Sequence, residues 1–278
     1  MIRRFSSQFL GMNSVFIYQN HTALLVDPGV FPHEISRLKK FLKKENLSDL
    51  SILLTHTHGD HISGWHAFSE HPTFAHLAVS KKSETVRFND VRYLQGIYKK
   101  QRITDIEALT FPDPIYYLPE NESADSSVIP FHFFHLPGHS IDMCAIVFPD
   151  ENLLASGDML IHTPLPFILH SINEYWHSLT KIKKIVKRFD LYYLIPGHGK
   201  PAATQEEILM RVSNEQKYIQ KLVLRGKECL NRNYSEGKLK ENLLSCFPDL
   251  ATLHAHQSNI QTFIREQEDL EIDEFTHV

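Results

Sequence analysis

His56-Thr57-His58-Gly59-Asp60-His61 gathers three imidazoles and a carboxylate within six residues. Imidazole and carboxylate are the donors that bind borderline divalent metals such as zinc, and a folded chain seldom crowds four of them together without an ion to neutralise and orient them. In a chain with 18 His among 278 residues, the pattern H-x-H-x-D-H would arise by chance in roughly a few sequences per thousand, which favours metal ligation over a surface cluster of His. The preceding run, Leu50-Ser51-Ile52-Leu53-Leu54, is short and mostly apolar, the pattern of a buried strand ending at Thr55. The ligands therefore sit at a strand's carboxyl end. His56 and His58, two apart, share a side while the chain stays extended, and Gly59 permits a bend that other residues resist. Asp60 and His61 then open the next segment near helix N-terminal amides, so the motif divides into two pairs able to serve two adjacent ions.

Upstream, residues 15–18 and 22–26 are two β-rich runs joined across Gln19-Asn20-His21 as a hairpin. Asp27, directly after the second run, is either a buried carboxylate that orients a metal-ligating His or a plain turn residue before Pro28-Gly29. Ile35, Leu38, Phe41 and Leu42 recur among lysines at a spacing that predicts an amphipathic helix over 33–45. Downstream, His66, His71 and His76 match no ligand spacing and read as structural or surface residues. Residues 81–107 carry seven Lys/Arg, Lys82 among them, against four acids. That surplus makes the stretch either an attractor of an anionic substrate or a solvated helical insertion.

Residues 115–118 read as a strand, 119–123 as a turn region and 129–136 as a further strand running into Pro137-Gly138-His139. Gly138 lets the chain turn sharply and present His139 at a strand end. His132 and His135, inside that strand, read as packed or exposed residues. After an apolar run at 141–148, residues 152–156 form a strand that ends at Gly157-Asp158, where a carboxylate can bridge two ions. A helix striped by Leu179, Ile182, Ile185, Val186 and Phe189 precedes a strand at 191–195, and Pro196-Gly197-His198-Gly199 repeats the Pro-Gly-His arrangement. Beyond residue 200, Ile208, Val212, Ile219, Leu222 and Val223 lie on one helical face. Gly226 reads as a helix stop, and the acidic stretch 266–274 as a frayed end. The expected organisation is a metal-binding domain over 1–200 and a helical extension over 201–278.

A hydrophobic content of 42% supports one large core, and a net charge of −4 with dispersed basic residues argues against a nucleic-acid partner. Cys144, Cys229 and Cys246 are too few and too scattered for a disulfide framework, which fits a reducing compartment. No apolar region follows Arg3 and Arg4, and no run approaches the ~20 apolar residues of a membrane span. The expectation is a cytoplasmic protein without a membrane partner. No feature sets the oligomeric state.

Taken together, His56-x-His58-x-Asp60-His61, then His139, Asp158 and His198, each after a β-run and in this order, resemble the metallo-β-lactamase superfamily over about residues 14–200. The resemblance implies an α/β fold, a four-layer αβ/βα sandwich with the metal site along one edge, here with a helical C-terminal extension. It implies that His56, His58 and His139 bind one divalent metal and Asp60, His61 and His198 a second, with Asp158 bridging them. Zinc is the expected metal, with iron or manganese as alternatives. True β-lactamases of the superfamily lack an Asp at the bridging position, which points away from antibiotic hydrolysis. The mRNA-processing nucleases carry a large extra domain between the bridging Asp and the last His, for which the spacing from Asp158 to His198 leaves no room.

What the resemblance leaves in front is a glyoxalase II-like or lactonase-like hydrolase. Its substrate would be a small acyl compound, a thioester, lactone or ester, and an anionic one if the 81–107 stretch attracts it. In such chemistry two metals ~3.5–4 Å apart hold a water whose pKa falls to about 7 and polarise the substrate's oxygen. Asp60 either serves only as a ligand or also passes a proton to the leaving group. His162, on a loop expected to leave the metal edge, either donates a hydrogen bond to a developing oxyanion or is a surface residue. The alternatives are an iron-dependent persulfide dioxygenase, a small ribonuclease of the same fold and a non-catalytic metal-bound interaction protein.

Overall fold

The computed structural model describes residues 1–104, 109–113, 115–119, 123–124, 128–163, 165–247 and 253–275. Strands β1 (Ile2–Ser6), β2 (Asn13–Gln19), β3 (Thr22–Val26), β4 (Asp49–Leu54), β5 (Thr73–His76) and β6 (Tyr116–Leu118) lie in that order in one sheet. The pairing is antiparallel from β1 to β3 and parallel from β3 to β6. Strands β7 (Ser123–Ala124), β8 (Phe131–His135), β9 (Cys144–Phe148), β10 (Leu153–Ala155) and β11 (Tyr193–Ile195) form the second sheet, antiparallel except at β10–β11.

Side-chain alternation explains why these strands read as continuous apolar runs. Val15, Ile17, Leu24, Val26 and Leu53 of the first sheet meet Phe131, Phe133, Ile146, Phe148, Leu153 and Ile195 of the second in one inner core. Their neighbours Phe16, Ala23, Leu25, Ile52 and Leu54 point the other way, onto Ile35 and Leu38 of helix α1 (Pro32–Lys44). On the far side, Ala145, Val147 and Leu154 pack under α4 (Ile172–Arg188) and α5 (Gln205–Asn231). Strands covered on both faces have no solvent side to record as polar residues. The result is the expected order of layers, helix, sheet, sheet, helix.

Two further short elements matter for the site: α2 (Gly59–Ile62), directly after β4, and α3 (Glu84–Lys100), which lies over it. Helices α6 (Glu236–Ser245) and α7 (Leu253–Glu266) complete the chain's helical end. Leu239, Leu243, Ile260 and Phe263 share one apolar cluster with α4, α5 and the outer face of the second sheet. Among the described residues no helix is long and apolar enough to cross a membrane.

The structure overturns several expectations. Gly226 does not stop a helix: α5 runs through it to Asn231. A Cβ at 226 would stand 2.7 Å from Phe263 Cε2 and closer still to Cζ, so the missing side chain makes room for the α7 ring. The end of the chain is not frayed as far as it is described, because Leu270 and Phe275 are buried and Phe275 packs on Trp176. Lys82, counted among the charges able to attract an anion, is buried in an ion-pair cluster. Asp105 and Glu107 of the same stretch, and residues 120–122 of the expected turn, lie outside the described residues.

Candidate metal centre

Four segments converge at one edge of the sandwich, each leaving the carboxyl end of a strand. The loop after β4 brings His56 and His58, and α2 brings Asp60 and His61. The turn between β8 and β9 brings His139, the segment after β10 Asp158, and that after β11 His198. Gly138 adopts φ +131°, a conformation that L side chains resist, and a Cβ there would strike Tyr175 of α4. Gly59 serves differently from the bend expected of it. It opens α2, and a Cβ would lie 2.6 Å from Asp90 O and 2.9 Å from Leu94 Cβ of the overlying α3.

The donor atoms form two outer groups linked by a third, in which His56, His61 and Asp158 converge. His58 Nδ1 lies 3.1 Å from His56 Nε2 and 2.9 Å from His139 Nε2, which makes a face of three imidazole nitrogens. Asp60 Oδ2, His61 Nε2 and His198 Nε2 form the other, with Asp60 3.1 Å from His198 and 3.9 Å from His61. Asp158 stands between the groups. Its Oδ2 is 3.4 Å from His139 Nε2, while its Oδ1 is 3.2 Å from His61 Nε2 and 3.6 Å from His198 Nε2.

The second nitrogens of four of these rings are held from behind, which fixes the tautomer that leaves the inner nitrogen as a donor to a cation. His61 Nδ1 donates to Asp27 Oδ2 at 2.8 Å, and His198 Nδ1 donates to Leu10 O at 3.2 Å. His139 Nδ1 donates to Phe167 O at 2.7 Å. His56 Nδ1 donates to Thr55 Oγ1 at 3.2 Å, which passes its own proton to Asp27 Oδ2 at 2.8 Å. Of the two readings of Asp27, the buried carboxylate that orients a His is the one the structure shows.

Electrostatics supports a cation at this place. Burial, with like repulsion from His139, holds His58 down to about 3, and burial with His61 and His58 holds His56 well below the ordinary range. Burial also lowers His139. On the other side burial would lower His61 too, but Asp158, Asp27 and Asp60 outweigh it and raise His61 well above its usual value. Burial works against ionised Asp60, yet His61 and His198 bring it to about 2, and His198, His61 and His139 depress Asp158 in the same way. His61 Nε2 and Asp158 Oδ1 are buried and lie 3.2 Å from each other, but neither makes a well-aligned hydrogen bond within the described residues. Three imidazoles held neutral, two more drawn toward positive charge by ionised carboxylates, and buried donor atoms turned inward fit divalent metal ions.

Residues that the sequence did not connect with the metal ligands stabilise this edge. Asp142, fully buried, accepts hydrogen bonds from Thr57 N at 2.9 Å and Thr57 Oγ1 at 2.6 Å, which pins the turn between His56 and His58. Lys82 Nζ answers that charge at 3.3 Å from Asp142 Oδ1, donates to Thr57 Oγ1 at 2.8 Å and pairs with Asp90 Oδ2 at 2.8 Å. Arg211 of α5 donates to Leu160 O, Lys200 O and Pro201 O, tying together the segments that follow Asp158 and His198. An Asp inside an otherwise apolar run, as in Asp142-Met143-Cys144-Ala145, was the one available signal. His162, expected on a loop near this edge, is not a member of the donor groups. It is exposed, its backbone N donates to His198 O at 3.2 Å, and its side chain acts electrostatically on Glu207.

The chain belongs to the metallo-beta-lactamase superfamily, whose family model matches residues 8–198. It is similar to a probable metallo-hydrolase, YqgX, of Bacillus subtilis (strain 168), 29% identical over 153 residues that make up 53% of this chain and 65% of that one. It is also similar to a hydroxyacylglutathione hydrolase of Francisella tularensis subsp. holarctica, 24% identical over 66% of this chain and 62% of that protein. The chain thus spans slightly less than two thirds of each of these two relatives. Among solved structures, a metallo-beta-lactamase family protein of Thermus thermophilus superposes with a TM-score of 0.68 at 18% identity, covering 96% of this chain and 94% of that one. That likeness concerns the fold.

Proposed function

We propose that this protein is a dinuclear metal-dependent hydrolase of a small acyl substrate, a thioester, lactone or ester. The observation that carries the reading is Asp158, which turns one oxygen to each of two three-residue donor groups. His56, His58 and His139 would hold one ion and Asp60, His61 and His198 the other, zinc being the metal this donor set suits best. A bridging carboxylate offsets the repulsion between two cations placed close together. Two such ions, when bound, lower the pKa of a water to about 7 and act as Lewis acids on the substrate's oxygen.

The chain's own residues contribute orientation and charge. Asp27 and the carbonyls of Leu10 and Phe167 keep the rings turned inward, so that no reorganisation is needed when substrate arrives. Asp60, at the edge of the second group, can accept a proton during the attack and return it to the leaving group. A hydrolytic role is also in keeping with two relatives whose names are metallo-hydrolase and hydroxyacylglutathione hydrolase, the latter naming an acyl compound.

The test is elemental analysis of protein purified without added metal, followed by a screen of thioesters, lactones and phosphodiesters under air and under nitrogen. Close to two ions per chain, mainly zinc, and oxygen-independent cleavage of an acyl substrate are expected. One iron per chain with oxygen uptake on a persulfide would replace this reading by the dioxygenase, and cleavage of phosphodiesters alone would replace it by the ribonuclease.

A further inference from the structure

His139 is oriented by a carbonyl that belongs to no helix or strand. Phe167 O, its hydrogen-bond acceptor at 2.7 Å, lies in the segment 165–170 between the metal edge and α4. The direction of a carbonyl in such a segment must be set from outside. The atoms that set it come from α7, far along the chain. Asn259, completely buried, accepts from Ile168 N through Oδ1 at 2.8 Å and donates through Nδ2 to Pro166 O at 2.9 Å. One amide therefore grips the backbone on both sides of residue 167.

The grip has a defined orientation. Turning the amide over would set Oδ1 against Pro166 O and the NH2 group against Ile168 N–H, two repulsive contacts, so only one placement satisfies the site. The remaining Nδ2 proton goes to Tyr218 OH at 2.8 Å. Tyr218, accepting there, gives its own proton to His256 Nδ1 at 2.8 Å, and His256 Nε2 donates to Leu243 O at 2.9 Å. Every donor in this series meets one acceptor, from α6 through α5 and α7 to the segment behind His139. An apolar residue at 259 would pack α7 as well, but it would leave Ile168 N–H and Pro166 C=O buried without partners.

The geometry points to Asn259 as a positioning residue of the metal centre: it aims the Phe167 carbonyl that holds His139 in the tautomer and orientation a metal requires. This rests on His139 being a ligand, as proposed above, and it gives the helical extension a part in the centre that the motif residues do not show.

The experiment measures Co2+ binding by competition with a chromophoric chelator, together with the visible absorption of the Co2+-loaded protein, in the full chain. Asn259→Leu and Asn259→Asp each remove the two donated bonds. Each should weaken one of the two Co2+ binding steps about 10- to 100-fold, the usual loss when a residue behind a metal ligand is removed, and alter the absorption bands. Tyr218→Phe leaves both bonds to the segment and should stay within about threefold, since it removes two neutral hydrogen bonds, to Asn259 and His256, both remote from the metal. Leu38→Ala, a core truncation in the opposite helical layer, controls for lost stability and should leave affinity and spectrum unchanged. If the Asn259 variant that folds melts earlier yet binds Co2+ with wild-type affinity and spectrum, the amide only staples α7 and the inference is overturned. If the wild-type protein takes up no Co2+, the metal centre itself is refuted, and that result is separate because it does not involve Asn259.

Discussion

Lys82→Met removes the cation that the buried carboxylates Asp90 and Asp142 share. The Lys82 side chain is 2% exposed, with Asp90 at 2.8 Å and Asp142 at 3.3 Å. At an effective dielectric constant of about 20, each contact is worth on the order of 5–6 kcal/mol of attraction, but burying the ammonium removes much of that gain. The cost of breaking one side of a buried ion pair, about 3–5 kcal/mol, is therefore the better guide to the loss of stability at pH 7.5. The two carboxylates respond to pH in opposite ways in the wild type. Burial works against ionised Asp142, but Lys82 and His58 hold it down at about 2, so it contributes stability that is present above the unfolded pKa and is lost as pH falls through about 2. Asp90 is raised by burial to about 6 in spite of Lys82, so its ionisation opposes folding as pH rises from about 4 to 6. Without Lys82 both carboxyls shift upward, and protonation relieves the repulsion. Urea denaturation should show a deficit of about 3–5 kcal/mol at pH 7.5 that shrinks by at least about 1 kcal/mol at pH 5. A deficit below about 1 kcal/mol at pH 7.5, or one that does not change with pH, would refute the reasoning. Adding Asp142→Asn to Lys82→Met should restore part of the stability.

Asp158→Ala should lower bound metal from about two ions toward one or none and nearly abolish turnover, as measured by elemental analysis and substrate cleavage; two ions with full activity would remove its bridging role. Gly226→Ala sets helix propensity, which favours Ala by about 1 kcal/mol, against overlap with the buried Phe263 ring. Overpacking should win by about 1–3 kcal/mol, seen as an earlier thermal transition, and Phe263→Leu should recover part of it. Asp90→Asn should leave stability at pH 7.5 equal or higher and flatten its change between pH 4 and 6, measured by urea denaturation; a fall at neutral pH would mean that the carboxylate is a net stabiliser. His162→Ala should keep kcat within a factor of about two, because the residue is exposed and outside the donor groups, whereas loss of an oxyanion donor costs roughly 10²–10³.

How much of the molecule was legible in its sequence depends on the range of the forces involved. The seven donor residues, the inner strands and helices α1 and α4 follow from local rules. Alternation in β2, β3 and β4, the 3.6-residue stripe of Leu179, Ile182 and Ile185, and donors placed directly after apolar runs are read from neighbours in the chain. The edge strand β1 and the four-residue inner strand β5 escaped, because each is polar or brief and acquires its identity from the strands it pairs with.

What only the tertiary structure decided is what lies behind each candidate donor residue. Asp27 could be a turn residue or a partner of His61 until β3 and β4 were set side by side. Lys82 counted as a surface charge until Asp90 and Asp142 closed around it. Gly226 carried the composition of a helix stop, yet it is a seat for a ring 37 positions further on, at Phe263. Asn259 carried no signal, since its partners lie 91 and 93 positions away. A metal-binding motif is written in adjacent residues because one turn of chain delivers several donors to one ion. The hydrogen bonds and packing that hold those donors in place are contacts between distant segments, and they exist only once the layers have assembled.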